Sequence, residues 1–451
     1  MTGRGTVGDP WPVTPDEGLL PLEGITVVAL EQAVAAPLAT RHLADLGARV
    51  IKVERVGDGD FARQYDAAVR GGAASHFVWL NRGKESVALD LKSEDGRQAI
   101  RTLIAGADVF VQNLAPGAAA RLGLAADDLR ADHPELVVVD MSGYGDAGPY
   151  RDRKAYDMLV QAEAGLISVT GTPDEMSKTG IPTSDIAAGM YALTSVLSAL
   201  FRRATTGVGV RVSVAMFDAT VEWMGHPMYM RLYGGRQIAR AGLGHAAIVP
   251  YDKYPTADGD ILIGVQNDRG WDTLTRVALE RPDLADDPRY RTNIERVARR
   301  AEVDAAIGAE TKRFTTDELD RRLADAGIPA AEIRDLEGVV AHPQLSERDR
   351  WREVDTEVGP VRALLPPLTF DDVELAMGPV PALGQHTEAV LRNSGSASHR
   401  RSRRRIGGTD LQPSGPLVMH GYDDLSEAIC PTILCSPPGI REHPRGVTNT
   451  P

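Results

Sequence analysis

Short apolar runs alternate along the first half of the chain with amphipathic stretches of helical period. Residues 25–30 form a strand-like run, and residues 37–46 carry a helical pattern with Pro37 in its first turn. Gly47 ends that helix, and residues 49–53 return to strand. The same alternation predicts strands at 86–91, 108–114 and 136–141, with helices at 93–105 and 125–131 between them. Strands alternating with helices imply a mostly parallel sheet covered on both faces. The predicted fold class is therefore α/β, built on an open parallel sheet. Helices at 156–166 and 185–202, a strand at 210–214 and one long helix at 215–233 complete this region.

The pattern changes after Gly234. Two strands at 251–254 and 261–265 flank Asp258-Gly259, a hairpin signal. Helices follow at 271–279, 301–312 and 316–326. The chain thus divides into a flexible N-terminus (1–21), a large α/β domain (22–224), a smaller α+β domain (225–335) and a segment that returns to the large domain (336–392). Residues 393–451, with their Ser-Arg run at 399–405 and scattered Pro and Gly, are expected to be a disordered tail.

Composition narrows the function. The 451 residues suit two or three domains, and 43% apolar content excludes wholesale disorder. A net charge of −13 argues against nucleic acid as a partner, and an anionic ligand would need local Arg and Lys to hold it. The two cysteines, Cys430 and Cys435, both fall in the last 22 residues, so the main body has no disulfide framework and no cysteine-based zinc site. That usage and the lack of an apolar run near Met1 predict a cytoplasmic protein. The apolar stretch at 186–201 is short for a membrane span and reads as a buried helix.

Several constellations could carry chemistry. Gly143, Gly145 and Gly148 match Gly-x-Gly-x-x-Gly, but a loop-like Pro149-Tyr-Arg-Asp-Arg-Lys154 follows where a dinucleotide site needs a helix. The glycines read as a tight loop near a ligand. Asp185 stands directly before the apolar helix. A carboxylate there would stay ionised and nucleophilic, though an ordinary N-cap explains it more simply. Lys154, Tyr156 and Asp157 put a cation, a hydroxyl and an acid at another helix start, where capping is again the simpler reading. His245 lies in Gly242-Leu-Gly244-His245, as a ligand contact or a solvated histidine. Lys52, Arg55, Arg82, Lys84 and Arg121 recur where the first strands end and could meet a phosphorylated ligand. No metal-ligand, serine-hydrolase or Walker motif is present.

Taken in order, Leu22-Glu-Gly-Ile25, Gly47-Ala-Arg-Val-Ile-Lys-Val-Glu54, Asn81-Arg-Gly-Lys84, Gln112-Asn-Leu-Ala-Pro-Gly117, Arg121-Leu-Gly-Leu124, Ser142-Gly-Tyr-Gly145 and Pro381-Ala-Leu-Gly-Gln-His386 resemble the family III CoA-transferases, relatives of α-methylacyl-CoA racemase. The resemblance covers residues 22–391. It implies a Rossmann-like large domain, a smaller second domain and a homodimer whose chains interlock. It implies an acyl-CoA donor and a carboxylic acid acceptor as substrates, with no tightly bound cofactor and no membrane partner. Asp185 matches the family's nucleophile, which forms a mixed anhydride and then an aspartyl-CoA thioester. Tyr156 and Asp157 match the Tyr-acidic pair ahead of it. Gly242, Gly244 and His245 match the glycine loop that shields the intermediate. Arg55, Asn113, Arg121 and Lys154 match CoA-binding positions. Val34 replaces a glutamine of the oxalate enzyme, and the segment 245–259 is similar to branches that use succinyl-CoA or dicarboxylic acids. The alternatives are an acyl-CoA racemase using Asp157 and Asp185 for proton transfer, against which Tyr156 stands where racemases have histidine, and a non-catalytic CoA-binding protein.

Overall fold

The computed structural model describes residues 19–394, all within one compact unit. The expectations for the tail beyond 394 and for residues 1–18 lie outside the described residues. Six strands build the central sheet: β1 (Thr26–Leu30), β2 (Arg49–Arg55), β3 (Lys84–Leu89), β4 (Val109–Gln112), β5 (Val137–Ser142) and β6 (Arg211–Ala215). Their spatial order is β3-β2-β1-β4-β5-β6, and every pairing is parallel.

The apolar runs explain this sheet. Alternate residues of one strand face opposite layers. Val27 and Ala29 join the cluster under α1 (Ala35–Asp45), while Val28 and Leu30 join the cluster under α2 (Glu94–Ala105) and α3 (Ala126–Asp132). Both faces are thus covered, as a parallel sheet requires.

The other site-bearing helices are α4 (Asp157–Glu163), α5 (Thr183–Thr206), α6 (Met216–Trp223) and α7 (Gly225–Gly234). By length and composition α5 could cross a membrane. Here its Ala187, Ala188, Ala192 and Val196 pack with α1 in the core. Gly189 makes the close crossing possible, since a Cβ there would stand 2.7 Å from the carbonyl oxygen of Ala35. The single long helix expected at 215–233 is two helices, α6 and α7, that meet at Met224. Pro227 explains the break: its ring displaces the carbonyl four residues back, and it has no N–H to continue the ladder.

Residues 249–328 gather a core of their own around Tyr254, Ile261, Ile263 and Trp271. It is built on the antiparallel sheet β7 (Tyr251–Pro255), β8 (Asp260–Gly264) and β9 (Ala330–Glu332). The hairpin turns at Asp258, whose carboxylate accepts from the backbone and hydroxyl of Thr316. The chain then forms a second hairpin, β10 (Trp351–Val354) and β11 (Val361–Leu364), and runs back to β3. There the Gly83 N–H donates to the Pro379 carbonyl, His386 exchanges hydrogen bonds with the Ser86 backbone, and Ala88 N–H donates to Thr387.

Candidate active site

Connections leave β1 and β4 in opposite directions, so a crevice opens beyond their carboxyl ends. A cleft of about 810 Å³ occupies this place. Residues 32–35 after β1, 113–116 after β4 and 142–143 after β5 form its floor. Asn113 fixes the first two loops to each other, donating to the Gln32 carbonyl at 2.8 Å and accepting from the Gln32 N–H at 2.9 Å. Ala33 has φ of +65°, a left-handed conformation that a side chain disfavours. Its N–H donates to Asp60, whose other oxygen takes the buried Lys52 ammonium at 2.8 Å, so a buried ion pair holds the strained residue in place.

Two carboxylates stand at the first turns of α4 and α5. Asp157 Oδ1 accepts from the backbone N–H groups of Ser184 at 2.8 Å and Asp185 at 3.1 Å. Its Oδ2 accepts from Gln161 at 2.7 Å. The cap of α5 is therefore Asp157, twenty-eight residues upstream of Asp185, and not Asp185 itself. This corrects the simpler sequence reading. The Asp185 carboxylate, with no hydrogen bond or ion pair among the described residues, lines the cleft. Burial, with the Asp157 charge added, pushes it up to about 7. The expectation of a firmly ionised acid fails because Asp157 already occupies the N–H groups that would have held the charge.

An aromatic wall escaped the sequence reading. Phe61, Tyr65 and His76 line the cleft, with ring centroids 5.6 Å apart for Phe61–Tyr65 and 5.5 Å for Tyr65–His76. Burial, Asp60 and Asp185 push the Tyr65 hydroxyl up to about 12, so it remains a neutral donor. The visible signal was the spacing of Phe61 and Tyr65, one helical turn apart just after Asp60.

Of the expected site residues, Asp185, Asp157, Tyr156, Asn113 and Lys154 come together in the cleft. Arg55, Arg121, Gly242, Gly244 and His245 are outside its lining. Arg55 is exposed beside Asp58 at 3.9 Å, and Arg121 ends a four-residue helix next to Gly117. Gly242 donates to the Gly171 carbonyl, and His245 stacks on Tyr251 at 5.4 Å. Three of the cations read as phosphate contacts are committed elsewhere. Lys52 and Lys84 are fully buried against Glu31 and Asp60, and Arg82 forms a two-pronged pair with Asp45. Arg82 and Lys84 also sit at the amino end of β3, the wrong end for the crevice. Among the described residues no three His, Cys, Asp or Glu side chains gather as a metal would require.

Gly143 meets the cleft, and a Cβ there would collide with Ala155 at 2.2 Å. No helix begins until Asp157, so the glycines shape a loop and not a pyrophosphate cradle.

The profile of CoA-transferase family III matches residues 22–387. Succinyl-CoA:glutarate CoA-transferase of Homo sapiens is 31% identical, covering 87% of this chain and 91% of its own length. Succinate–glutarate CoA-transferase of Agrobacterium fabrum is 34% identical, covering 82% and 95%. The crystal structure of a CAIB/BAIF family protein from Brucella suis superposes with a TM-score of 0.74 at 35% identity, over 83% of this chain and 99% of that one.

Proposed function

The chain belongs to CoA-transferase family III, and from that premise we propose that it moves CoA from succinyl-CoA to a dicarboxylic acid through a covalent aspartyl intermediate on Asp185. One observation carries this reading: Asp185 presents an unpartnered carboxylate to the cleft, with its basicity raised to about 7. A more basic carboxylate is a better nucleophile, and it is still substantially ionised at neutral pH.

The steps balance without ATP. An Asp185 carboxylate oxygen attacks the thioester carbonyl carbon, the C–S bond breaks, and CoA leaves as thiolate. The thiolate attacks the Asp185 carbonyl of the mixed anhydride, releasing the donor acid and leaving an aspartyl-CoA thioester. The acceptor carboxylate attacks that thioester and again frees the thiolate. The thiolate finally takes the acceptor acyl group and regenerates Asp185. Tyr65, as a neutral hydroxyl near Asp185, supplies a donor for oxygen charge in these steps.

We assign the CoA phosphates to Lys154 within the cleft, with Arg55 and Arg121 further out. Gly242, Gly244 and His245 would then act from a second copy of the chain in a homodimer. Supporting this, Phe201 of α5 and Tyr229, Leu232 and Tyr233 of α7 are 63–80% exposed, more apolar surface than a monomer ordinarily leaves bare. The racemase alternative loses ground because all three hydrogen bonds of Asp157 tie it to α4 and α5, leaving Asp185 without a second free carboxylate to share the proton transfer.

The test is acyl exchange from succinyl-CoA to glutarate and a panel of other acids, followed by mass spectrometry. New acyl-CoA that vanishes in Asp185→Ala supports the reading; turnover that survives the substitution ends it. Deuterium entering the acyl α-carbon without any acceptor acid would instead favour racemisation.

A further inference from the structure

A second cavity, of about 640 Å³, lies between the helix Ser75–Leu80 and the β10–β11 hairpin. Among the described residues it shares no lining residue with the catalytic cleft. Among the described residues five arginines line it, Arg41, Arg82, Arg348, Arg350 and Arg362, and no aspartate or glutamate does. In a chain of net charge −13 that is a strong local inversion.

The floor is under-compensated. Arg41 and Arg82 are 6% and 3% exposed, and a single carboxylate, Asp45, serves both. Asp45 pairs closely with Arg82 at 2.8 Å and only loosely with Arg41 at 3.7 Å. Arg41 Nη2 donates to the His42 ring at 2.8 Å, which offers no negative charge. Burial and the two arginines hold His42 down to about 3, so it stays neutral. Arg41 Nε is buried and has no hydrogen-bond partner among the described residues. An excess positive charge with an orphan donor is costly to bury unless an anion answers it.

At the rim, Arg348 and Arg362 are exposed and make no ion pair among the described residues. Arg350 is engaged with the carbonyls of Leu365 and Pro366. The remaining wall is largely apolar. It includes Trp79, Trp351, Val354 and Leu364, with the Arg362 guanidinium 4.5 Å from the Trp351 ring. We propose that this cavity binds an organic anion with an apolar body, its carboxylate head meeting Arg41 and the rim arginines and its body lying against the two tryptophans.

The cavity and the cleft stand back to back. His76 of the helix Ser75–Leu80 faces the cleft, while Ser75, Val78 and Trp79 of the same helix face the cavity. An occupant therefore leans on the wall of the active site.

Octanoate is a suitable probe, read by tryptophan fluorescence and calorimetry on the full chain at low salt. The expected result is saturable binding below about 1 mM. It should weaken at least about tenfold in the Arg348→Glu/Arg362→Glu double variant and persist in Asp185→Asn. The milder Arg348→Gln/Arg362→Gln pair should move it the same way, which keeps the test decisive if charge reversal proves insoluble. No binding, binding as tight as the parent's in both double variants, or loss of binding in Asp185→Asn would each overturn the proposal. So would sulfate binding as tightly as octanoate, because the apolar wall would then contribute nothing. Sedimentation of the double variants provides a last check: a change in oligomeric state would assign the arginines to an interface between copies.

Discussion

Two groups of charged side chains lie on neighbouring parts of the sheet, and they are built on opposite plans. Under β1, β2 and β3, Glu31, Glu54 and Asp60 face Lys52, Lys84 and Arg63 in a network with equal numbers of each sign. Burial alone would push Glu31 up, yet Lys84 and Lys52 outweigh it and hold the acid below its usual range. Glu54 goes the same way, down to about 2, because burial is outweighed by Arg63 and Lys52. In the cleft, Asp157 and Asp185 share one corner with no cation paired to either among the described residues, and Asp185 rises to about 7. The same residue type becomes inert where charges balance and reactive where they do not.

The largest break in this comparison is removal of the reactive acid. Asp185→Asn should cut acyl transfer by about ten-thousand-fold or more while leaving CoA affinity nearly unchanged. Steady-state kinetics beside direct CoA titration check it. Unbalancing the network comes next. Lys84→Met leaves Glu31 buried with one weaker partner and should cost about 3–5 kcal/mol in urea unfolding. Adding Glu31→Gln to it should restore much of the loss, since the count of charges is again level.

A subtler change sharpens the contrast. Asp157→Asn keeps an acceptor for the α5 N–H groups but removes the like charge. Asp185 should then titrate lower, and the acid limb of the kcat/KM profile should move down by about one pH unit. The last effect is on stability. Asp185 has its folded value raised above the ordinary 3.8 to about 7. The folded state therefore holds the proton more tightly. Its contribution is complete below about pH 4 and fades as pH climbs towards 7. Asp185→Asn should melt level with the parent at pH 4 and above it at pH 8, by differential scanning calorimetry.

The sheet was legible because each strand is an apolar run between helix signals, and burial on both faces leaves little room for another arrangement. The break at Met224 was missed although Pro227 was in view, because the apolar period runs on across it. Lys52 and Lys84 were misread because sequence gives position along a strand but not depth. Local capping rules assign each aspartate to the start of its own helix, whereas Asp157 caps α5 and leaves Asp185 free, since the cap comes from a residue remote in sequence and close in space. Motif resemblance located Asp185 where helix-end physics alone favoured a plain cap. The aromatic wall was missed because the spacing of Phe61 and Tyr65 alone does not show that they meet His76 once the segment 61–76 folds over the end of the sheet.

The tie between His386 and Ser86 has a consequence for the order of events at the ribosome. β3 is the outer strand of the sheet, and its partner lies 300 residues further along the chain. At about 5–20 residues added per second, that edge waits on the order of 15–60 s before its cover emerges. During that interval the nascent chain displays a bare ladder of N–H and C=O groups, which invites pairing with neighbouring chains. The last described segment is thus the closing stitch of the first-made sheet, and a chain cut short before residue 376 would fold with its seam open.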